Sequence, residues 1–227
     1  MLAKRLHARE LMDDPALDAA MYHAVLADLA KVNRVTLAHR PTLAFLRRAV
    51  GHRPGFRLLD VGFGDGDMLR AIARWSRRRG LAAELTGIDL NPRSRAAAER
   101  EYSAVPITYL TGDYADLAGE MWDCVISSLV AHHMSEPELI AFLRFMDAEA
   151  SAGWFVNDLH RHALASFGWP FLANIAGWHR IVRLDGHTSI ARSFRPGEWH
   201  ALLERAELSG ARVFRQFPFR LCVERLR

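Results

Sequence analysis

Between Arg57 and Asn157, short apolar runs alternate with longer segments whose apolar residues return at helical spacing. Runs near 57–61, 84–88, 107–111, 122–127 and 153–157 read as strands, and segments near 66–79, 92–102 and 136–149 as helices. That alternation predicts an α/β architecture of parallel strands joined by right-handed crossovers. Ahead of it, Asp14-Pro15 offers a cap and a first-turn proline, after which Leu17, Met21, Val25, Leu29 and Val32 recur on one helical face. A second helix is expected from about Pro41 to Val50, with Gly51 as its stop. The alternation breaks over 160–195, an aromatic and basic insertion. It resumes with a helix at about Pro196 to Leu208 and two strands, Arg212 to Phe217 and Phe219 to Glu224, parted by Pro218 as an antiparallel edge hairpin. Two regions follow, a helical 1–52 and an α/β 53–227 that carries the insertion.

The chain has 227 residues, half of them apolar, enough for the core of one such domain. Its formal charge of +4 comes from arginine, since Lys4 and Lys31 are the only lysines, and the arginines are spread along the chain. No nucleic acid partner is expected from so diffuse a charge. Cys124 and Cys222 stand far apart with no Cys/His spacing for zinc, so neither a disulfide framework nor a structural metal is indicated. The first seven residues lead into charge rather than an apolar core and cleavage site, and the longest apolar stretch, Ala163 to Trp178, is broken by Gly168, Pro170, Asn174 and Gly177. A cytoplasmic protein with no transmembrane segment is the expectation.

Candidate chemistry gathers where strands end. The first run passes into Asp60-Val61-Gly62-Phe63-Gly64-Asp65-Gly66, three glycines spaced two apart before a helix, where backbone can approach a ligand with no Cβ in the way. A dinucleotide fingerprint would place its third glycine where Asp67 stands. Asp89-Leu90 ends the second strand about twenty residues on, where a carboxylate suits a ribose diol; with Asn91-Pro92 it equally suits a helix cap. Gly112-Asp113-Tyr114 follows the third strand, and Trp122 to Ser128 forms the fourth, ending in Ser127-Ser128.

In this order the four elements resemble the class I S-adenosylmethionine-dependent methyltransferases, most closely those of small-molecule and quinone-biosynthesis type. The resemblance implies a Rossmann-like seven-stranded, mostly parallel sheet with an antiparallel C-terminal edge hairpin, and a helical N-terminal lid. It implies S-adenosylmethionine held by Asp60, Gly62, Phe63, Gly64, Gly66, Asp89, Leu90, Asp113, Tyr114 and Ser127. The expected reaction is methyl transfer to a small, aromatic, phenolic or polyketide-like acceptor of natural-product type, with oxygen favoured and carbon possible as the accepting atom. The competing readings are an RNA or protein methyltransferase and a binding protein that keeps the cofactor without catalysis. No N-P-P-Y or D-P-P-Y tetrapeptide follows the fourth strand, against amino-group methylation.

Methyl transfer asks mainly for alignment and exclusion of water, with a histidine to take the acceptor's proton. Four candidates follow the fourth and fifth strands: His132, His133, Asp158 and His160. Asp158 could orient His160, contact the acceptor, or cap the next helix. Only Asn157-Asp158 offers oxygen ligands at these ends, so no protein-held metal is expected. The insertion's Phe167, Trp169, Phe171 and Trp178 could wall an apolar acceptor pocket, pack as an amphipathic helix, or make weak interfacial contact with lipid.

Overall fold

A computed structural model describes residue 2 and residues 4–227. Its centre is a seven-stranded sheet in the order β3-β2-β1-β4-β5-β7-β6. The parallel strands are β1 (Gly55–Val61), β2 (Ala82–Asp89), β3 (Ile107–Thr111), β4 (Trp122–Ser128) and β5 (Ala150–Leu159). Strands β6 (Arg212–Gln216) and β7 (Arg220–Leu226) pair antiparallel, and β7 closes antiparallel onto β5.

Alternating residues on each strand feed two apolar layers, as a period of two requires. On one face Phe45, Leu46 and Val50 of α2 (His39–Val50), with Met68, Leu69 and Ile72 of α3 (Asp67–Arg78), pack on Leu58, Ile126 and Phe155. On the other, Phe142, Leu143 and Met146 of α5 (Glu136–Glu149) and Trp199 and Leu202 of α8 (Pro196–Arg205) pack on Leu59, Val125 and Trp154. Each fully buried side chain of this size contributes about 1.5–3 kcal/mol. The helices start where the sequence offers caps: Ser135 and Glu138 form a reciprocal box before α5, and Asn91 with Pro92 opens α4 (Pro92–Ala98). Helix α4 ends earlier than its alanine-rich sequence suggests, and Tyr102, 82% exposed, finds nothing in the sheet to hold a further turn. Strand β5 is longer than expected because Asn157–Leu159 gain β7 as a partner through Arg220, Leu221 and Cys222.

The two N-terminal helices do different things. Helix α2 is part of the core, its Phe45 stacked on Phe155 at 5.1 Å. Helix α1 (Ala19–Val35) instead joins the insertion, which folds as α6 (Ala163–Ile175) and α7 (Arg180–Arg192). Val25 and Val32 of α1 pack with Ala173, Trp178 and Val182, and Trp169 stacks on Trp178 at 5.5 Å. The aromatic run therefore divides: Trp169 and Trp178 hold the cap together, whereas Phe167, Phe171 and Ile175 are exposed. No helix among the described residues is long and apolar enough to cross a membrane.

Candidate active site

The carboxyl ends of β1, β2, β4 and β5 open into one cavity of about 790 Å³, roofed by α1, α6, α7 and the N-terminal segment. That volume suits a small ligand pair. The glycine loop forms its floor, with Gly62, Gly64 and Gly66 at φ 77°, 59° and 75°. Their reasons differ. A Cβ on Gly62 would strike Val130, and one on Gly66 would meet the Tyr109 hydroxyl at 2.6 Å, so both glycines are demanded by packing. A Cβ on Gly64 would find only Leu26 Cδ2 at 3.9 Å, so this glycine leaves a space in the cavity wall rather than filling a tight contact.

Asp89 fixes that loop. Its Oδ2 accepts from Gly64 N at 2.9 Å and its Oδ1 from Asn91 N at 2.8 Å, leaving lone pairs of the carboxylate for a further donor. The cap before α4 and the latch on the glycine loop thus sit on one side chain. Leu90, 75% exposed, and Asp113 also line the cavity, and Asp113 accepts from Ala115 N at 3.0 Å. Tyr114 lines it while leaning on Phe142 and Phe145. Phe63 covers the bare face of Gly87 and packs on Tyr109 at 4.9 Å.

Three residues expected to hold the cofactor do not line the cavity. Asp60 is buried beneath the loop, with Oδ1 unpartnered among the described residues. Burial, reinforced by Asp67 and Asp89, lifts its pKa well above the usual carboxyl value and favours the neutral acid. Ser127 is buried too, its Oγ donating to Val61 O at 2.9 Å and tying β4 to β1. Gly66 caps α3. These shape the floor without forming its surface.

Beside the end of β4, the short 3-10 helix Ala131–His133 carries both histidines of the pair. His132 is buried and donates Nδ1–H to Asp158 Oδ1 at 2.7 Å, while Asp158 Oδ2 accepts from His132 N at 2.8 Å. Burial would depress this imidazole, but Asp158 and Glu10 outweigh it and raise its pKa to about 9. Asp158 moves the opposite way: burial would raise it, and His132 holds it below the usual carboxylate value. The reading in which Asp158 orients His160 is therefore corrected, since its partner is His132, whose raised pKa favours the imidazolium and makes it a poor proton acceptor.

His133 is the histidine that opens to the cavity, its side chain 30% exposed, with Nε2 3.7 Å from Glu10 Oε2 and Nδ1 3.5 Å from Asp13 Oδ2. Glu10 also approaches His132 Nε2 at 3.6 Å, and burial of its carboxyl is outweighed by the two histidines, so its pKa is lowered. Neither Glu10 nor Asp13 was legible as a site residue, because a short 3-10 helix about 120 residues away, Leu11–Asp13 with Glu10 as its cap, carries them; Leu11 N and Met12 N anchored on Asp185 hold it there. The ligand atoms of Glu10, His132 and His133 lie within 4.8 Å of one another, close enough for a divalent cation. Arg192, 3.6 Å from Glu10, and the His132 imidazolium already balance the carboxylates, which opposes one. His160 lines the cavity from the end of β5; burial, then Arg215 and His162, lower its pKa to about 4, leaving a neutral and weakly basic ring.

Residues 58–148, which contain the glycine loop, Asp89, Asp113 and the histidine pair, match the family model described as a methyltransferase domain. The matched segment is a methyltransferase domain. A ubiquinone biosynthesis O-methyltransferase of Xanthomonas campestris is 31% identical over 68% of the chain, and the chain spans 63% of that relative's length. The enzyme of the same description in Bordetella avium is 28% identical over 78% of the chain and 72% of its own. Among solved structures, magnesium protoporphyrin IX methyltransferase of Synechocystis with bound S-adenosylhomocysteine superposes with a TM-score of 0.58 at 19% identity, covering 94% of this chain and 90% of that one. Human N-acetylserotonin methyltransferase with S-adenosylmethionine gives 0.64 at 16% identity, over 92% of this chain and 56% of its own. At such identities the likeness speaks for the fold. In the methyltransferase domain the matched segment ends before β5, so Asp158, His160 and the α6–α7 cap lie outside it.

Proposed function

We propose that this chain transfers a methyl group from S-adenosylmethionine to a hydroxyl of a small acceptor, with His133 receiving the proton. The observation that carries the reading is the vacant space in front of Gly64, latched by Asp89 at the mouth of a cavity large enough for both ligands. Gly62 and Gly64 would hold the donor's amino acid part, Asp89 its ribose, and Leu90, Asp113 and Tyr114 its base. When bound, that donor supplies an electrophilic methyl group on sulfonium sulfur. The protein's share is alignment, dryness and proton removal. Leu26, Leu29, Ile190 and Trp169 make an apolar wall that excludes water. As the acceptor oxygen's lone pair takes the methyl group, its proton passes to His133, and Glu10 and Asp13 stabilise the imidazolium so formed. His132, already charged, keeps the short helix in position through Asp158.

Leu164 and Leu172, exposed apolar residues of α6 on the cavity lining, suit an acceptor with a hydrophobic tail. The test is a release assay for S-adenosylhomocysteine with catechols, phenols and quinols, followed by mass analysis of the product. A gain of one methyl on oxygen supports the proposal. Release on none of these acceptors, with cofactor bound, would reduce the chain to a binding protein.

A further inference from the structure

The cavity wall holds a buried cation with no ion-pair partner among the described residues. Arg220, at the start of β7, is 2% exposed and lines the cavity, and among the described residues its side chain reaches only Thr36 Oγ1, at 3.1 Å from Nη2. Its Nε and Nη1 have no partner among the described residues. The other well-buried arginines differ: Arg70 is paired with Asp65, Arg161 with Glu198 and Arg192 with Glu10. Two acids lie near enough to act on Arg220 through space, Asp158 and Asp67, but both are taken. Asp158 binds His132, and Asp67 accepts from His39 Nε2 at 2.9 Å and Asn33 Nδ2 at 3.0 Å. An unpaired buried guanidinium is costly and persists where something supplies its partner.

We propose that Arg220 is the specificity residue for a carboxylate on the acceptor, held between β7 and the Thr36 end of α1. The donor also has a carboxylate, and the strand on which Arg220 stands favours the acceptor's. Gly64 and Asp89 follow β1 and β2, whereas Arg220 lies on β7, three strands from β1 and beyond β4. At about 4.8 Å per strand, its backbone stands roughly 14 Å across the sheet from β1, next to Phe219, whose carbonyl accepts from His160 N at 2.9 Å, while its guanidinium reaches back to Thr36 and into the field of Asp67. The planar fork of arginine fits a carboxylate with two parallel hydrogen bonds, drawing on the donors now idle. This inference rests on the methyltransferase reading for what the cavity holds, but its charge preference is measurable without turnover.

The experiment compares 3,4-dihydroxybenzoate with its methyl ester as ligands of wild-type protein and of R220M and R220K, by calorimetry, with S-adenosylhomocysteine titrated separately. The wild type should favour the acid by about tenfold or more, R220M should lose that preference, and R220K should keep part of it. Melting temperatures guard against misfolding: the acid should raise that of the wild type and not that of R220M, whose own value should match or exceed the ligand-free wild type. Equal binding of acid and ester by wild type overturns the proposal. So does weaker S-adenosylhomocysteine binding in R220M with acid preference intact, which would assign Arg220 to the donor's carboxylate. If wild type binds no S-adenosylhomocysteine yet prefers the acid, the methyltransferase reading fails and the anion site stands.

Discussion

The two halves of the cavity are built by opposite means. The half over β1 to β3 is mostly backbone and short-range: Gly62 and Gly64 expose the chain itself, and Asp89 and Asp113 each hold an N–H two residues on. The half over β4, β5 and β7 is made of side chains from remote parts of the chain, with Glu10 beside His132 and His133, and Arg220 beside Thr36. A ligand common to many proteins can be bound by a local motif, whereas a particular acceptor needs side chains that only the complete fold assembles.

Breaking each half should give different signatures. The largest effect is expected on the first: Gly64→Val should abolish S-adenosylhomocysteine binding by calorimetry, because a branched side chain fills the space and strains a φ of 59°. On the second half, Asp158→Ala leaves His132 as a buried cation without its partner and should cost about 3–5 kcal/mol in denaturant unfolding. If stability is unchanged, the ion pair described here is not present in solution. His133→Ala should lower kcat by about 100-fold while leaving S-adenosylhomocysteine affinity intact. An equal fall in affinity would make it a cofactor residue instead.

The smallest effect sharpens the comparison through pH. His132 has a folded pKa of about 9 against an ordinary 6.5, so its stabilisation is complete below 6.5 and is lost as pH rises through 9. Asp158, lowered in the fold, contributes above its ordinary 3.8 and loses that contribution as pH falls. The melting temperature should therefore decline between pH 7 and 9.5 in wild type, and less in His132→Gln. Parallel declines in both would remove His132 as the cause.

The sheet and the floor of the site were legible because their causes are local. Strand runs, Gly62 to Gly66 and Asn91-Pro92 each carry their structural reason within a few residues. Asp60 and Ser127 lie beneath the cavity floor and not on its surface, since a motif does not say which of its members faces inward. The acceptor half was partly visible, as the histidine pair and Asp158 stood at strand ends, but their pairing was not. His132 takes Asp158 because the 3-10 turn after β4 directs its N–H and Nδ1 at the same carboxylate, and His160 is left among Arg215, Arg195 and Arg161. Glu10, Asp13 and Arg220 carry no periodic or motif signal; they matter only through contacts across the chain.

The most direct test of the account is calorimetric titration of S-adenosylmethionine and S-adenosylhomocysteine into the purified protein, with NAD as control and Gly64→Val alongside. The account predicts micromolar binding of the first two, none of NAD, and silence in the variant. Undiminished binding by Gly64→Val, or no binding by the wild type, would contradict the claim that the glycine floor and Asp89 form the cofactor site.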